Sequence, residues 1–192
     1  MFEGSDFETP LLLLAMPQVN DPFFRQAVVL LIRHEEDEGS LGFIVNRPME
    51  LTVSEILEDN EIEWTGEASP SAFFGGPVSP EMGTLLYRSA AETDDDDEVL
   101  PGVSASHSLQ DLESLSRERP EAFRLFLGYA GWDSGQLERE IVRNDWLIAP
   151  VSNDLIFSSS PEEVWRRAVE SVGIDPDHLP AFTQQQTEPA AN

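Results

Sequence analysis

The stretch GYAGWDSGQLE, residues 128–138, runs from an apolar segment through glycines into a polar one. Two other stretches have a similar pattern of apolar residues followed by turn-forming ones: FIVNRP at residues 43–48 and FFGGPV at residues 73–78. In each, a short apolar run typical of a buried strand meets a corner of glycine, asparagine or proline, the residues that form sharp turns. The pattern therefore specifies a fold built from short strands better than it specifies a reaction.

On either side of these stretches, apolar runs of strand length are separated by turn-forming residues. Strands are predicted at residues 11–16, 27–33, 41–45, 72–74, 83–87, 103–106, 123–129, 146–149 and 155–157. Helices are predicted at residues 52–58, 108–115, from Asp133 or Ser134 to Arg143, and from Ser160 to Val172. Strands outnumber helices and do not alternate strictly with them, which favours a mixed-sheet α+β fold over a doubly wound parallel sheet.

Length and composition bound the class of protein. The 192 residues fit a single domain, predicted to span residues 1–180, followed by a disordered tail at residues 181–192. No apolar run approaches the roughly 20 residues of a membrane span, and the acidic start does not resemble a secretory signal. The chain is therefore expected in the cytoplasm. Its lack of cysteine excludes disulfides and thiol chemistry.

The charge balance is strongly negative, with 37 acidic residues against 11 arginines, no lysine and a net charge of −26. Such a field repels nucleic acid and anionic lipid, and it attracts cations or basic partners. One interpretation is adaptation to a salt-rich cytoplasm, where screening reduces self-repulsion. The other is a compositional bias from lysine to arginine combined with an acidic surface.

Several ordered motifs carry a family resemblance. They are LLAMPQVNDPFF at residues 13–24, GFIVNRP at 42–48, GGPV at 75–78, GYAGWDSGQLE at 128–138, NDWL at 144–147 and WR at 165–166. Together they make the chain, over about residues 11–175, similar to the AlgH/YqgE family of bacterial proteins. The resemblance implies a compact domain whose sheet curls into a partial barrel with helices outside. It implies no reaction, although some members have been named transcriptional regulators. The Gly-His-Ala-like ending of the family is not matched here.

Six residues at the corners are candidate ligand-binding residues: Asn46, Arg47, Gly75, Gly76, Tyr129 and Trp132. Because the following proline restricts Arg47 to an extended backbone, its guanidinium is aimed at a definite place and can clamp a carboxylate or phosphate. The alternative is a structural salt bridge, since many acids compete for few arginines. Asn46 is expected to shape the turn.

The glycine pair at residues 75 and 76 can present backbone N–H groups to an anion, but no P-loop or dinucleotide motif accompanies it. The alternative is a tight crossover that only glycine fits. Tyr129 and Trp132 lie at the end of a predicted strand, just before a predicted helix, and ligand-binding pockets are common at such junctions. The alternative for Trp132 is packing of that helix against the sheet.

Residues of other chemistry are weaker candidates. His34 is a candidate base or metal ligand, or else a partly exposed histidine at a strand end. The acidic run at residues 94–97 can hold a cation loosely or form a solvated loop. We assign no catalytic nucleophile, no metal and no cofactor.

Three functions remain open. The leading one is a non-enzymatic regulatory or adaptor protein that contacts another protein, because strong fold motifs accompany few catalytic groups. The alternative is a protein or enzyme that binds an anion or nucleotide in a pocket near Arg47, Gly75, Gly76 and Trp132. Direct DNA binding is least favoured, because phosphate contacts need cations that this chain hardly has. The sequence indicates no oligomeric state.

Overall fold

The computed structural model describes residues 8–65, 69–88, 98–118, 122–158 and 160–180. The strands are β1 Leu11–Ala15, β2 Val28–Glu35, β3 Gly39–Ile44, β4 Pro48–Thr52, β5 Ser71–Phe74, β6 Val78–Arg88, β7 Glu98–Leu100, β8 Val103–Ser106, β9 Phe123–Trp132 and β10 Trp146–Ala149. The helices are α1 Val53–Glu58, α2 Leu109–Glu118, α3 Gln136–Val142 and α4 Pro161–Ser171. A π-helical turn, Asp154–Ser158, and a 3-10 turn, Pro176–His178, complete the described elements. Within these ranges, no helix has the length and hydropathy of a membrane span.

The sheet runs in the order β10-β1-β2-β3-β9-β6-β8-β7, with β4 paired to β5 and β5 paired to β9. The pairing of β5 with β9 is parallel, and the other pairings are antiparallel. One edge of β9 pairs with β6. The other edge pairs first with β5, at Phe126 and Leu127, and then with β3, from Ala130 to Trp132. The sheet curls into a partial barrel with short helices outside, so the predicted α+β class is confirmed.

The core lies on both faces of the sheet. All five residues of β1 are buried. Because side chains alternate along a strand, Leu12 and Leu14 enter one core cluster with Phe43, while Leu13 enters a second with Trp132. Burial on both faces explains why β1 is a continuous apolar run rather than an alternating one.

The start of α1 is as the sequence predicts. Thr52 Oγ1 accepts from the Glu55 N–H, and the Glu55 carboxylate accepts from the Thr52 N–H at 2.8 Å. The Thr52 hydroxyl also donates to the Glu55 carboxylate at 2.7 Å, and this bond, together with the one from the Thr52 N–H, lowers the pKa of Glu55. The reciprocal pairing satisfies two backbone donors that a helix start leaves open, which is why the T-x-x-E pattern predicts a boundary well.

Residues 155–157 were expected to form a strand, and that prediction is wrong. They lie in the π-helical turn, where the carbonyls of Ile156 and Phe157 accept from the guanidinium of Arg124. Arg124 also lies 4.0 Å above the ring of Phe73, and burial lowers its pKa to about 10. A short apolar run fits either a strand or a buried turn, and here the cation from β9 stabilises the turn.

Other element boundaries also differ. Helix α3 begins after Gly135, whose φ is +67°, and not with Asp133 or Ser134 as cap. The Ser160 side chain makes no capping bond to α4 and donates instead to the Glu162 carboxylate. Strands β4 and β7 were not predicted, and β7 forms the sheet edge next to β8. The predicted tail at residues 181–192 lies outside the described residues.

Candidate functional site

Gly75, Gly76 and Gly128 form the glycine junction, where β5 crosses β9. The Gly75 N–H donates to the Leu127 carbonyl at 2.8 Å, and the Gly75 carbonyl accepts from the Ile44 N–H at 2.9 Å. A Cβ on Gly75 would lie 2.2 Å from the Gly128 oxygen. A Cβ on Gly76 would lie 2.1 Å from the Tyr129 carbonyl carbon. The glycines therefore make the tight crossover that was one of the two interpretations, since no larger residue fits between these backbones.

Trp132 belongs to an indole clamp formed with Trp146 and Glu140. Both indole N–H groups donate to Glu140 Oε2 at 2.8 Å, and the two rings meet edge to face at 5.8 Å. Gln136 donates to Glu140 Oε1 at 2.9 Å. The clamp holds α3 against β9 and β10, which is the packing role considered for Trp132. Sequence reasoning missed Glu140, although its spacing of four residues from Gln136 signals a shared helix face.

Tyr129 lies on the opposite face of β9 from Trp132. It is half-buried and packs against the first core cluster, and its ring lies over Gly131. Residues three apart in a strand point to opposite faces. The strand-to-helix corner therefore does not bring Tyr129 and Trp132 into one pocket.

Asn46 is buried and ties two segments together. Its Oδ1 accepts from the Val28 N–H at 2.9 Å, and its Nδ2 donates to the Gln26 carbonyl at 2.9 Å. These bonds fix the start of β2 against the end of β3. The amide thus shapes the corner and places the next residue, Arg47.

Arg47 is half-buried, and its guanidinium donates to the carbonyl of Arg25. Burial, together with the nearby charge of Arg25, lowers the pKa of Arg47. Among the ion pairs of the described residues, none involves Arg47. The salt bridge that was considered for this side chain is thus not formed within the described part of the chain.

Arg47 lines a cleft of about 800 Å³, here called the Arg47 cleft. Asn46, Arg47 and Pro48 form one wall, and the first turns of α4 with the 3-10 turn form the other. The buried indole of Trp165 lies between them and donates to the Ala15 carbonyl at 2.8 Å. The motifs NRP and WR, far apart in sequence, thereby meet in one place.

The second wall is held by an ion pair. The Arg166 guanidinium contacts Asp177 in the 3-10 turn and Glu170 in the next turn of α4. Hydrogen bonding and the charge of Arg166 lower the pKa of Asp177. Seven of the 14 residues that line the cleft are exposed, so it is an open groove with a buried floor.

Of the six candidate residues, the structure brings Asn46 and Arg47 together in this cleft. Gly75 and Gly76 lie in the glycine junction, Trp132 lies in the indole clamp, and Tyr129 covers Gly131. The opposite wall, with Trp165 and the start of α4, was not a candidate. The WR match was the available signal, and nothing in one sequence places it beside Arg47.

His34 lies next to the end of β2 and is half-buried as a whole residue, as the second interpretation has it, although its side chain is more enclosed. Its side chain is 8% exposed, its Nδ1 lies 2.8 Å from Ser40 Oγ, and its Nε2 lies 3.6 Å from a Glu138 oxygen. It therefore links β2 and β3 to α3. The described residues contain no group of three or more metal-ligating side chains. The acidic run at residues 94–97 lies outside the described residues.

Comparisons with known proteins agree with this architecture. The model of the AlgH-like family matches residues 12–177. A UPF0301 protein of Methylococcus capsulatus is 41% identical over 178 residues, covering 91% of this chain and 94% of the relative. One of Coxiella burnetii is 38% identical over 170 residues, covering 87% of this chain and 90% of the relative.

Two solved structures are also similar. The solution structure of AlgH from Pseudomonas aeruginosa has a TM-score of 0.70 at 32% identity, covering 89% of this chain and 94% of that one. The crystal structure of a Corynebacterium diphtheriae protein has a TM-score of 0.71 at 22% identity over 88% of each chain, a likeness in fold. From the family match and the identity to these relatives, we conclude that the chain belongs to the AlgH-like family.

Proposed function

We propose that this protein is a non-enzymatic adaptor that holds a segment of a partner protein in the Arg47 cleft. The observation that carries the proposal is the state of Arg47. It is a half-buried cation at the wall of an 800 Å³ groove, without an ion pair among the described residues of a protein with net charge −26. An anionic group from outside would complete its interactions.

The shape and lining of the cleft favour a polypeptide. Half of the lining residues are exposed, and five prolines line the groove beside the indole of Trp165. Rigid apolar surface of this kind offers contact area with little loss of side-chain entropy. An open groove also fits an extended chain better than a substrate that must be closed off from water.

Site-specific photo-cross-linking tests this proposal. A benzophenone amino acid is placed at Pro48 or Glu163 in the two walls, and at the exposed Val142 on α3 as a control outside the cleft. We expect both wall positions to cross-link to the same partner protein in cells and the control position not to. Cross-links from Val142 alone, or unrelated products from the two walls, would contradict the proposal.

A second candidate is a small anionic ligand in the same cleft. The specific observation in its favour is the volume, because 800 Å³ lies within the range of about 300–1,000 Å³ typical of small-molecule pockets. Nucleotides and phosphorylated metabolites at 100 times their dissociation constant would add about 2.7 kcal/mol to stability. Such a thermal shift, lost in Arg47→Gln and retained in Arg33→Gln, would favour this candidate over the adaptor.

A further inference from the structure

The Arg47 cleft carries opposite charges on its two walls. Arg47 lies on the wall from the β3–β4 corner, and Glu162 and Glu163 lie on the facing wall in the first turn of α4. Among the described residues, no ion pair includes any of these three side chains. The other charged pair of the lining, Arg166 and Asp177, is already matched internally. One cation and two carboxylates therefore have no ion-pair partner, although Arg47 donates to the Arg25 carbonyl and Glu162 accepts from the Ser160 hydroxyl.

We infer that the partner segment carries a carboxylate and, a few residues away, a basic side chain. This inference rests on the adaptor function proposed above. The carboxylate lies on Arg47, whose planar guanidinium binds such groups through two parallel hydrogen bonds. The basic side chain lies along the facing wall, with its apolar stem near Trp165 and its charge near Glu162 and Glu163.

The charge of the whole protein acts in the same direction. A net charge of −26 accelerates the approach of a basic segment and repels one that is purely acidic. The negative field of the protein repels a peptide whose only charge is a carboxylate. A neighbouring basic residue offsets this repulsion, so the carboxylate can approach Arg47. The combination of charges is thus more selective for this cleft than either charge alone.

Fluorescence anisotropy with labelled hexapeptides tests the inference on the full-length protein. One peptide has two arginines and a free C-terminal carboxylate. A second is the same peptide with an amidated end, and a third is amidated but contains an internal aspartate. A fourth replaces the arginines by glutamine. The second and third peptides distinguish a chain terminus from an acidic side chain as the source of the carboxylate.

We expect the first peptide, the third or both to bind about tenfold tighter than the second, and the fourth to bind about tenfold weaker than the first. Arg47→Gln removes the preference for a carboxylate, and Arg47→Lys restores part of it as a second variant. Glu162→Gln with Glu163→Gln removes the preference for arginine. Matched controls with the same change of charge are Arg33→Gln and Glu35→Gln with Glu36→Gln, all exposed positions outside the cleft.

Two results would overturn the inference. One is equal binding of all four peptides. The other is an equal loss of binding in the cleft variants and in their matched controls, which would indicate a general charge effect. In either case, retained cross-links from Pro48 and Glu163 would leave the adaptor function standing. Failure of the cross-linking alone, with peptide selectivity intact, would instead contradict the adaptor function in cells.

Discussion

The glycine junction and the Arg47 cleft are neighbouring parts of the molecule, and they use their residues differently. At the junction, Gly75 engages both its N–H and its carbonyl, and a Cβ would collide with backbone atoms. In the cleft, Arg47 bonds to the Arg25 carbonyl, yet it pairs with no carboxylate among the described residues. A corner of this kind is therefore architectural where its backbone groups are hydrogen-bonded and sterically enclosed, and it is a candidate for binding where a half-buried charge has no ion-pair partner.

Of the substitutions considered, Gly76→Ala in the glycine junction is expected to lower the unfolding free energy most. The backbone φ is +154° and the new Cβ would lie 2.1 Å from a carbonyl carbon, so we expect a loss of at least about 3 kcal/mol of unfolding free energy. Urea unfolding measures it. Gly102→Ala is the matched control, because its φ is also positive but nothing lies within 4 Å of the new Cβ. A loss as small as that of the control would show that the crossing can relax.

The indole clamp offers the next largest effect. Glu140→Leu leaves the N–H groups of Trp132 and Trp146 without their shared acceptor, with an expected loss of about 2–4 kcal/mol. Glu140→Gln keeps one acceptor oxygen and is expected to lose about 1 kcal/mol. Thermal unfolding followed by tryptophan fluorescence compares the two variants. Equal losses would mean that the negative charge, rather than the acceptor geometry, stabilises the clamp.

Arg47→Gln is expected to change stability by less than about 1 kcal/mol, because the substitution removes a desolvated cation rather than a matched ion pair. Urea unfolding gives the value. The same variant is expected to lose cross-linking at Glu163. A large loss of stability would place Arg47 with the glycine junction as an architectural residue.

The smallest effect is expected at Asp177, on the exposed rim of the cleft. Its folded-state pKa is lowered by Arg166, so its contribution to stability is present above its unfolded-state pKa and is lost as pH falls through the lower folded value. The melting temperatures of the wild type and Asp177→Asn should therefore differ slightly at neutral pH and converge in acid. A difference that persists at low pH would show that the ion pair is not its cause.

Local signals predicted much of the fold. The capping box of Thr52 and Glu55 depends on neighbours in sequence, so it could be found without tertiary information. The apolar run of β1 was equally clear, because burial on both faces leaves no polar position. The turn at residues 155–157 was missed because Arg124, which donates to its carbonyls, comes from a distant strand.

The candidate site was only half predictable. Arg47 was identified from the proline that follows it, a local constraint on the backbone. Its facing wall depends on the packing of α4 against β1 and β2, including the bond from Trp165 to Ala15. Such long-range packing has no signature within one sequence, which places Glu162 and Glu163 only in the first turn of a predicted helix.

The position of β9 has a consequence for synthesis of the chain. Strand β9 pairs with β3, β5 and β6, but it is synthesised late, at residues 123–132. Strand β1 likewise gains its second pairing partner only when β10 is made, at residues 146–149. A nascent chain that lacks these strands exposes apolar edges that no other described strand covers. Folding dominated by such distant pairings is slow and prone to aggregation. A chain on the ribosome can therefore complete this sheet only after β9 has been synthesised, and an excess of 37 acidic residues over 11 arginines opposes the association of incomplete chains until then.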